Sequence, residues 1–449
     1  MNYYSDSPEW KWLVENGIDW GEIIPLYYPS FPTEEGFESP EEVKSFIKEL
    51  LDSTGEWAAT SVAERAEALD RKGAGKVEDG RTVPSDELQE LYREAKELDV
   101  IGVSAPQKYG GMGAPVSVQM LILTQLGKAC LSSCTQMAFF SSIADMVHRF
   151  CDDETAERIV PQILAGELSG SMNLTEPGCG SDLGSIKTTA TPQEDGTYLL
   201  NGNKIFITNG GGGVGFVLAK VKGAPDNLDG LSLFFTEQEI DKDGEKVLNY
   251  RVEKNEDKMG LHGSFTTEVV YQNSVARLVG EEGEGFKHML HLMNEARIAV
   301  GLQAIGNMEA SIDYAKSYAE EREQFGKPLT QLPLMRRNLE DYETERDAIR
   351  ALLVDTISHF DIFQHLELKK HKHGDLTKEE EEKYQEAKMW TRKRTPLVKY
   401  YACETNTHLT QRAIQALGGY GFMREYPVER LHRDSFAPLL YEGTSQIQA

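Results

Sequence analysis

The run Met172-Asn173-Leu174-Thr175-Glu176-Pro177-Gly178-Cys179-Gly180-Ser181-Asp182 holds the densest set of residues able to grip a small ligand. Its glycines let backbone approach a flat molecule, and Thr175 and Ser181 offer hydroxyls. Taken alone, the same run is equally a decorated turn. Gly210, Gly212 and Gly215 satisfy G-x-G-x-x-G. A dinucleotide fingerprint needs a helix next, to hold pyrophosphate at its N-terminus, whereas Phe216-Val217-Leu218-Ala219-Lys220-Val221 is strand-like. That stretch therefore reads as a hairpin turn. His288 and His291 lie three apart on a helical run with no neighbouring Cys or acid set to complete a metal site. His371 and His373 fall in a charged, exposed loop. All four read as structural or solvated, and no metal is expected. The five cysteines are scattered, and Cys130 and Cys134 have core spacing, which fits buried thiols in a reducing compartment.

These residues need elements to place them. At roughly 150 residues per domain, 449 residues suggest about three domains. The net charge of −26 opposes a nucleic-acid or anionic-membrane partner, which needs surplus Lys and Arg. No run reaches the ~18 apolar residues of a membrane span, and the start MNYYSDSPEW has no secretory pattern, so a cytoplasmic protein is expected. Residues 1–38 read as an irregular aromatic arm. Residues 39–169 read as a helical domain, opened by the capping Ser39 before Pro40-Glu41-Glu42 and ending in a buried hairpin over 115–150 and a helix over 153–166. Residues 170–284 hold short alternating runs split by Asn-Gly and Gly-rich turns, an antiparallel β domain. Residues 285–449 return to helical period, with long helices to about 321, over 331–365 and over 377–417. The fold class is α+β, with the β part between two helical parts.

The wording of the motifs adds a family. LTEPGCGSD closely resembles the signature of the acyl-CoA dehydrogenase family, which has this α–β–α order. Five further segments agree in order: SAPQKYGGMG, Lys204 to Gly210, Arg322-Glu323-Gln324-Phe325-Gly326, Gln415 to Gly419, and Tyr441-Glu442-Gly443-Thr444. The resemblance spans roughly residues 85–449 and implies FAD-dependent α,β-dehydrogenation of an acyl-CoA thioester. A base takes the α-proton while hydride leaves the β-carbon for flavin N5. It implies that Met172, Leu174, Thr175, Gly180 and Ser181 line the cofactor and that Phe206, Ile207 and Thr208 cover the flavin. Arg322 and Gln324 would reach the FAD of a neighbouring subunit. Gln415, Gly418 and Gly419 would follow the adenosine half, and Thr444 and Gln446 would complete the cofactor site. Ser181, Asn294, Arg297 and Gly443 fall to the substrate, and Glu442 is the base. The other position that hosts a base in this family is Ala296 here. Glu295, about 100° around the helix, is expected as a surface acid.

The departures are specific. Pro333 replaces a Gln that contacts FAD in many members, Met172 replaces an aromatic residue, and Asn294 replaces an Asp near the CoA. The segment around 365–385 reads as an insertion resembling a larger-subunit branch, and the stop at Ala449, where the family continues helically, reads as a truncation. Partners implied are an electron-transferring flavoprotein and further copies of the chain, as a homodimer or homotetramer. An acyl-CoA oxidase and an inactive FAD-binding member are the alternatives.

Overall fold

The computed structural model describes residues 1–449, apart from the side chain of His373. The N-terminal arm is not irregular. It holds α1 (Pro8–Asn16) and α2 (Trp20–Tyr27), capped by the side chains of Ser7 and Asp19. Each is too short to display a helical period in sequence. Both are tied to the body: Trp10 Nε1 donates to Glu309 Oε1 at 2.9 Å and Tyr27 Oη to Asp361 Oδ1 at 2.6 Å.

The first helical part contains α3 (Pro40–Trp57), α4 (Ala63–Lys72), the hairpin β1–β2 (Gly75–Glu78, Arg81–Pro84), α5 (Asp86–Glu97), α6 (Val116–Ala129), α7 (Leu131–Phe150) and α8 (Asp153–Leu164). Ser39 caps α3, accepting from the Glu42 N–H. Helix α6 is buried almost all round, so it is a core helix rather than an amphipathic one.

The β part comprises β3 (Ser169–Asn173), β4 (Thr189–Pro192), β5 (Tyr198–Thr208), β6 (Gly213–Val221), β7 (Leu231–Glu237), the side hairpin β8–β9 (Glu239–Lys242, Glu245–Leu248), β10 (Tyr250–Asn255) and β11 (Thr266–Val279). Strand order is β10-β11-β5-β4-β6-β3, and β7 pairs with both β11 and β6. Strands β11, β5, β4, β6 and β7 therefore close on themselves around Leu200, Val217, Phe234, Val269 and Tyr271. The sheet is not wholly antiparallel: β6 runs parallel to β3 and β4. The turns after β4 and β5 each reverse the chain, so β6 runs in the direction of β4, and it pairs with β4 rather than β5.

The last part is built on α9 (Gly285–Glu321), α10 (Pro333–His373) and α11 (Lys378–Leu417), with the two-residue strands β12 (Glu323–Gln324) and β13 (Lys327–Pro328) between the first two. The short helices α12 (Pro427–Asp434), α13 (Ala437–Leu440) and α14 (Ser445–Gln448) follow. A Cβ on Gly306 would lie 2.4 Å from the Thr124 carbonyl, so α9 and α6 cross in backbone contact. The segment around 365–385 is mostly helix. Helix α10 runs into it as far as His373, and α11 starts after a short break on a capping box between Thr377 and Glu380. His371 is thus helical, with Nε2 3.2 Å from the Arg149 carbonyl and its ring against Phe150. Lys and Glu on both sides of the helix hide its period in the sequence. The side chain of His373 lies outside the described residues.

Candidate active site

The three parts enclose a cavity of about 750 Å³, within the ~300–1,000 Å³ usual for small-molecule sites. The β wall carries Met172, Leu174, Thr175, Gly180, Ser181, Phe206, Ile207 and Thr208. The opposite wall carries Ala296 and Arg297 of α9 with Glu442, Gly443 and Thr444.

On the β side, the loop after β3 is held against β5 by a buried ion pair. Lys204 Nζ lies 2.9 Å from Glu176 Oε1 and 2.8 Å from the Leu174 carbonyl, while Glu176 also accepts from the Lys187 and Thr188 N–H groups. Burial opposes the Glu176 charge, yet Lys204 and these donors hold its carboxyl below its ordinary value. This role of Glu176 lies outside the motif reading; its one trace in the sequence is Lys204, a cation four residues after Leu200 and, like it, buried on the inward face of β5. Phe206 sits at φ +58° with 61% of its surface exposed, both costly for an aromatic residue. Its ring faces the cavity.

On the helical side, Glu442 lies in a loop pinned from three directions. Arg297 Nε donates to the Glu442 carbonyl at 3.1 Å, Lys399 Nζ to the Gly443 carbonyl at 2.7 Å, and Tyr441 Oη to Gln303 Oε1 at 3.1 Å. Glu442 and Gly443 have φ of +56° and +92°. The φ of Gly443 is one that L side chains rarely adopt, so glycine is favoured there by the backbone. Burial raises the Glu442 pKa to about 7, against the pull of Arg297 and Lys399. Ala296 presents only a methyl group to the cavity. Lys399 and Gln303 escaped the sequence reading; Lys399 falls on the buried stripe of α11 with Thr395, Val398 and Ala402, where a cation needs a reason.

Other predicted residues lie elsewhere. Asn294 is behind the wall, accepting from Arg297 Nη1 at 3.1 Å and orienting it. Gln446 is exposed and off the cavity, because its helical turn directs Thr444 and Ile447 inward instead. Arg322 and Gln324 are exposed on the β12–β13 hairpin, and Gln415, Gly418 and Gly419 are exposed at the end of α11. The Arg322 guanidinium stands 5.8 Å from the Tyr420 ring centre, which joins these five into a surface separate from the cavity. Glu295 does point away from the cavity, but it is not a surface acid. Its carboxylate is enclosed between α7 and α10, accepting from Ser142 Oγ and Gln364 Nε2, both at 3.2 Å. His291 likewise has acids around it, from helices distant in sequence: Asp145 and Glu367.

Residues 47–167, 171–274 and 283–449 match the N-terminal, middle and C-terminal domain models of acyl-CoA dehydrogenases. An acryloyl-CoA reductase (NADH) of Anaerotignum propionicum is 32% identical over 362 residues, spanning 80% of this chain and 84% of that protein. Butyryl-CoA dehydrogenase of Megasphaera elsdenii superposes with a TM-score of 0.73 at 29% identity, over 92% of this chain and 97% of that one. An acyl-CoA dehydrogenase of Bacillus anthracis, solved with FAD, gives 0.76 at 27% identity, over 91% of this chain and 66% of that one.

Proposed function

Because the chain belongs to the acyl-CoA dehydrogenase family of FAD-dependent oxidoreductases, we propose that its cavity holds FAD and an acyl-CoA thioester side by side and that Glu442 is the base that removes the α-proton. The observation that carries this reading is that the Glu442 carboxyl, its pKa raised by burial, lines the same cavity as Phe206, Ile207 and Thr208. The wall fits a flat, polar-edged cofactor: an exposed aromatic ring, the hydroxyls of Thr175, Ser181 and Thr208, and no neighbour within 3.7 Å of a Cβ at Gly180. FAD bound there supplies the acceptor for the β-hydride.

The chain's own groups do the rest. A carboxyl that titrates near 7 is a stronger base than an exposed one, and about half of it is ionised at neutral pH. Arg297 and Lys399 hold the backbone of the Glu442 loop, so the carboxylate is oriented before substrate arrives. The Glu442 N–H acts as a donor to the thioester oxygen as it gains charge. Arg297 stands at the cavity as the cation for the CoA portion, steered by Asn294. Arg322 and Gln324 reach the FAD of a second copy in a homodimer or homotetramer, with Gln415, Gly418 and Gly419 along the same surface. The enzyme works in the cytoplasm and passes its electrons to an electron-transferring flavoprotein. The purified protein is expected to be yellow, with near one FAD per chain, and to bleach under anaerobic addition of an acyl-CoA from a panel of chain lengths. Protein that stays colourless after reconstitution with FAD overturns the reading, and bleached enzyme that consumes oxygen rapidly makes it an oxidase.

A further inference from the structure

The geometry points to a divalent metal site that the dehydrogenase reading does not use, formed by Asp145 of α7 with His291 and Glu295 of α9 and suited to an ion of the Zn²⁺ class. One donor atom from each of the three lies within 4.8 Å of the others. Donors around a tetrahedral zinc at ~2.0–2.1 Å are roughly 3.3 Å apart, so side-chain rotations of about 1 Å complete the set.

Two features other than the acids point to a cation. The His291 side chain is 10% exposed, and its Nδ1 lies 2.9 Å from Glu367 Oε2. In the tautomer that donates Nδ1–H to this carboxylate the Nε2 lone pair is free, which is how metal-ligating histidines are commonly oriented. That Nε2 has no hydrogen-bond partner and sits 3.7 Å from Asp145 Oδ2. Gln364 is 1% exposed. Its Nε2 donates to Glu295 Oε2 at 3.2 Å while its Oε1 has no partner, which makes it a candidate fourth donor.

The remaining contacts are compatible. Arg149 Nε donates to Asp145 Oδ2 at 2.6 Å and Ser142 Oγ to Glu295 Oε1 at 3.2 Å, as ligating carboxylates are usually supported. With His291 neutral, Asp145, Glu295 and Glu367 set three negative charges against Arg149 and the Lys388 beside Glu367, which leaves net negative charge for a cation to offset. Mg²⁺ and Ca²⁺ take oxygen donors, so the imidazole selects a borderline ion. Ser142 also lines the cavity. The ion would therefore brace α7, α9 and α10 behind the cavity wall. Without it, the same cluster balances only by holding protons.

The FAD-loaded full chain, stripped with a chelator and dialysed, is titrated with Zn²⁺ by calorimetry beside Glu295→Gln, His291→Gln and Glu442→Gln. One Zn²⁺ per chain is expected in the parent and in Glu442→Gln, with affinity at least ~10-fold lower in the other two. No saturable uptake by the parent, or uptake undiminished in both cluster variants, overturns the site. If either cluster variant does not fold, zinc-edge X-ray absorption of the loaded parent decides. An imidazole with oxygen ligands supports the site, and a shell lacking imidazole overturns it.

Discussion

Replacing Glu442 by Gln should change the pH dependence of stability in a calculable way. The carboxyl is shifted from 4.5 to about 7 in the folded chain, chiefly by burial. Below 4.5 it is protonated in both folded and unfolded states, and its ionisation costs nothing. As pH rises, the unfolded chain loses this proton first, and stability falls by up to ~1.4 kcal/mol per pH unit until the folded carboxyl also ionises near 7. The full cost is about 3.4 kcal/mol, and about 2.5 kcal/mol of it falls between pH 5 and pH 8. Glutamine has nearly the same shape and does not titrate, so it removes this cost and leaves the packing. An unfolding entropy of ~2.1 cal/mol/K per residue over 449 residues converts 2.5 kcal/mol into about 3 °C. Thermal melts of FAD-loaded parent and Glu442→Gln, in matched buffers, should therefore show the variant gaining about 3 °C on the parent between pH 5 and pH 8. A melting difference that is the same at both pH values would put the carboxyl in the ordinary range and remove the physical basis for an enclosed base.

Three further outcomes are expected. Glu176→Gln leaves the Lys204 ammonium buried without a carboxylate and should cost about 3–5 kcal/mol, read as a lower melting temperature together with lower FAD content. Gly443→Ala forces an alanine to φ +92°; it should cost about 1 kcal/mol and slow flavin reduction while FAD content holds. Arg322→Ala should weaken FAD retention by about 2–5 kcal/mol and oligomerisation with it, seen by filtration and sedimentation; a variant that keeps FAD as a monomer refutes the cross-subunit role.

The order of helical, β and helical parts was legible because period and turn chemistry change sharply at β3 and again at α9. Two kinds of feature were not. Elements of eight or nine residues, such as α1 and α2, carry too few apolar positions to show a period, and their anchors, Glu309 and Asp361, lie some 300 residues away. Burial of charge was equally hidden. Glu295 reads as a surface acid from its own helix, and only α7 and α10 enclose it. The motif residues that the cavity collects, from Met172 to Thr208 and from Glu442 to Thr444, were readable through the resemblance of each local motif to the family's; their residue types alone fit a decorated turn as well. Lys399, Gln303 and the Glu176–Lys204 pair act through contacts between motifs, which spacing along one chain does not express. The departure at Gln446 is of the same kind, since the turn of α14 decides which of its neighbours faces inward.

The most direct test of the account is stopped-flow reduction of the bound flavin by an acyl-CoA that bleaches the parent, followed anaerobically across pH in parent and Glu442→Gln. The parent rate should rise with pH around a midpoint near 7, as the base ionises. The Gln variant should be slower by at least ~10²-fold, with no such midpoint and with FAD and ligand still bound. Parent-like bleaching by Glu442→Gln would contradict this and move the base elsewhere in the molecule.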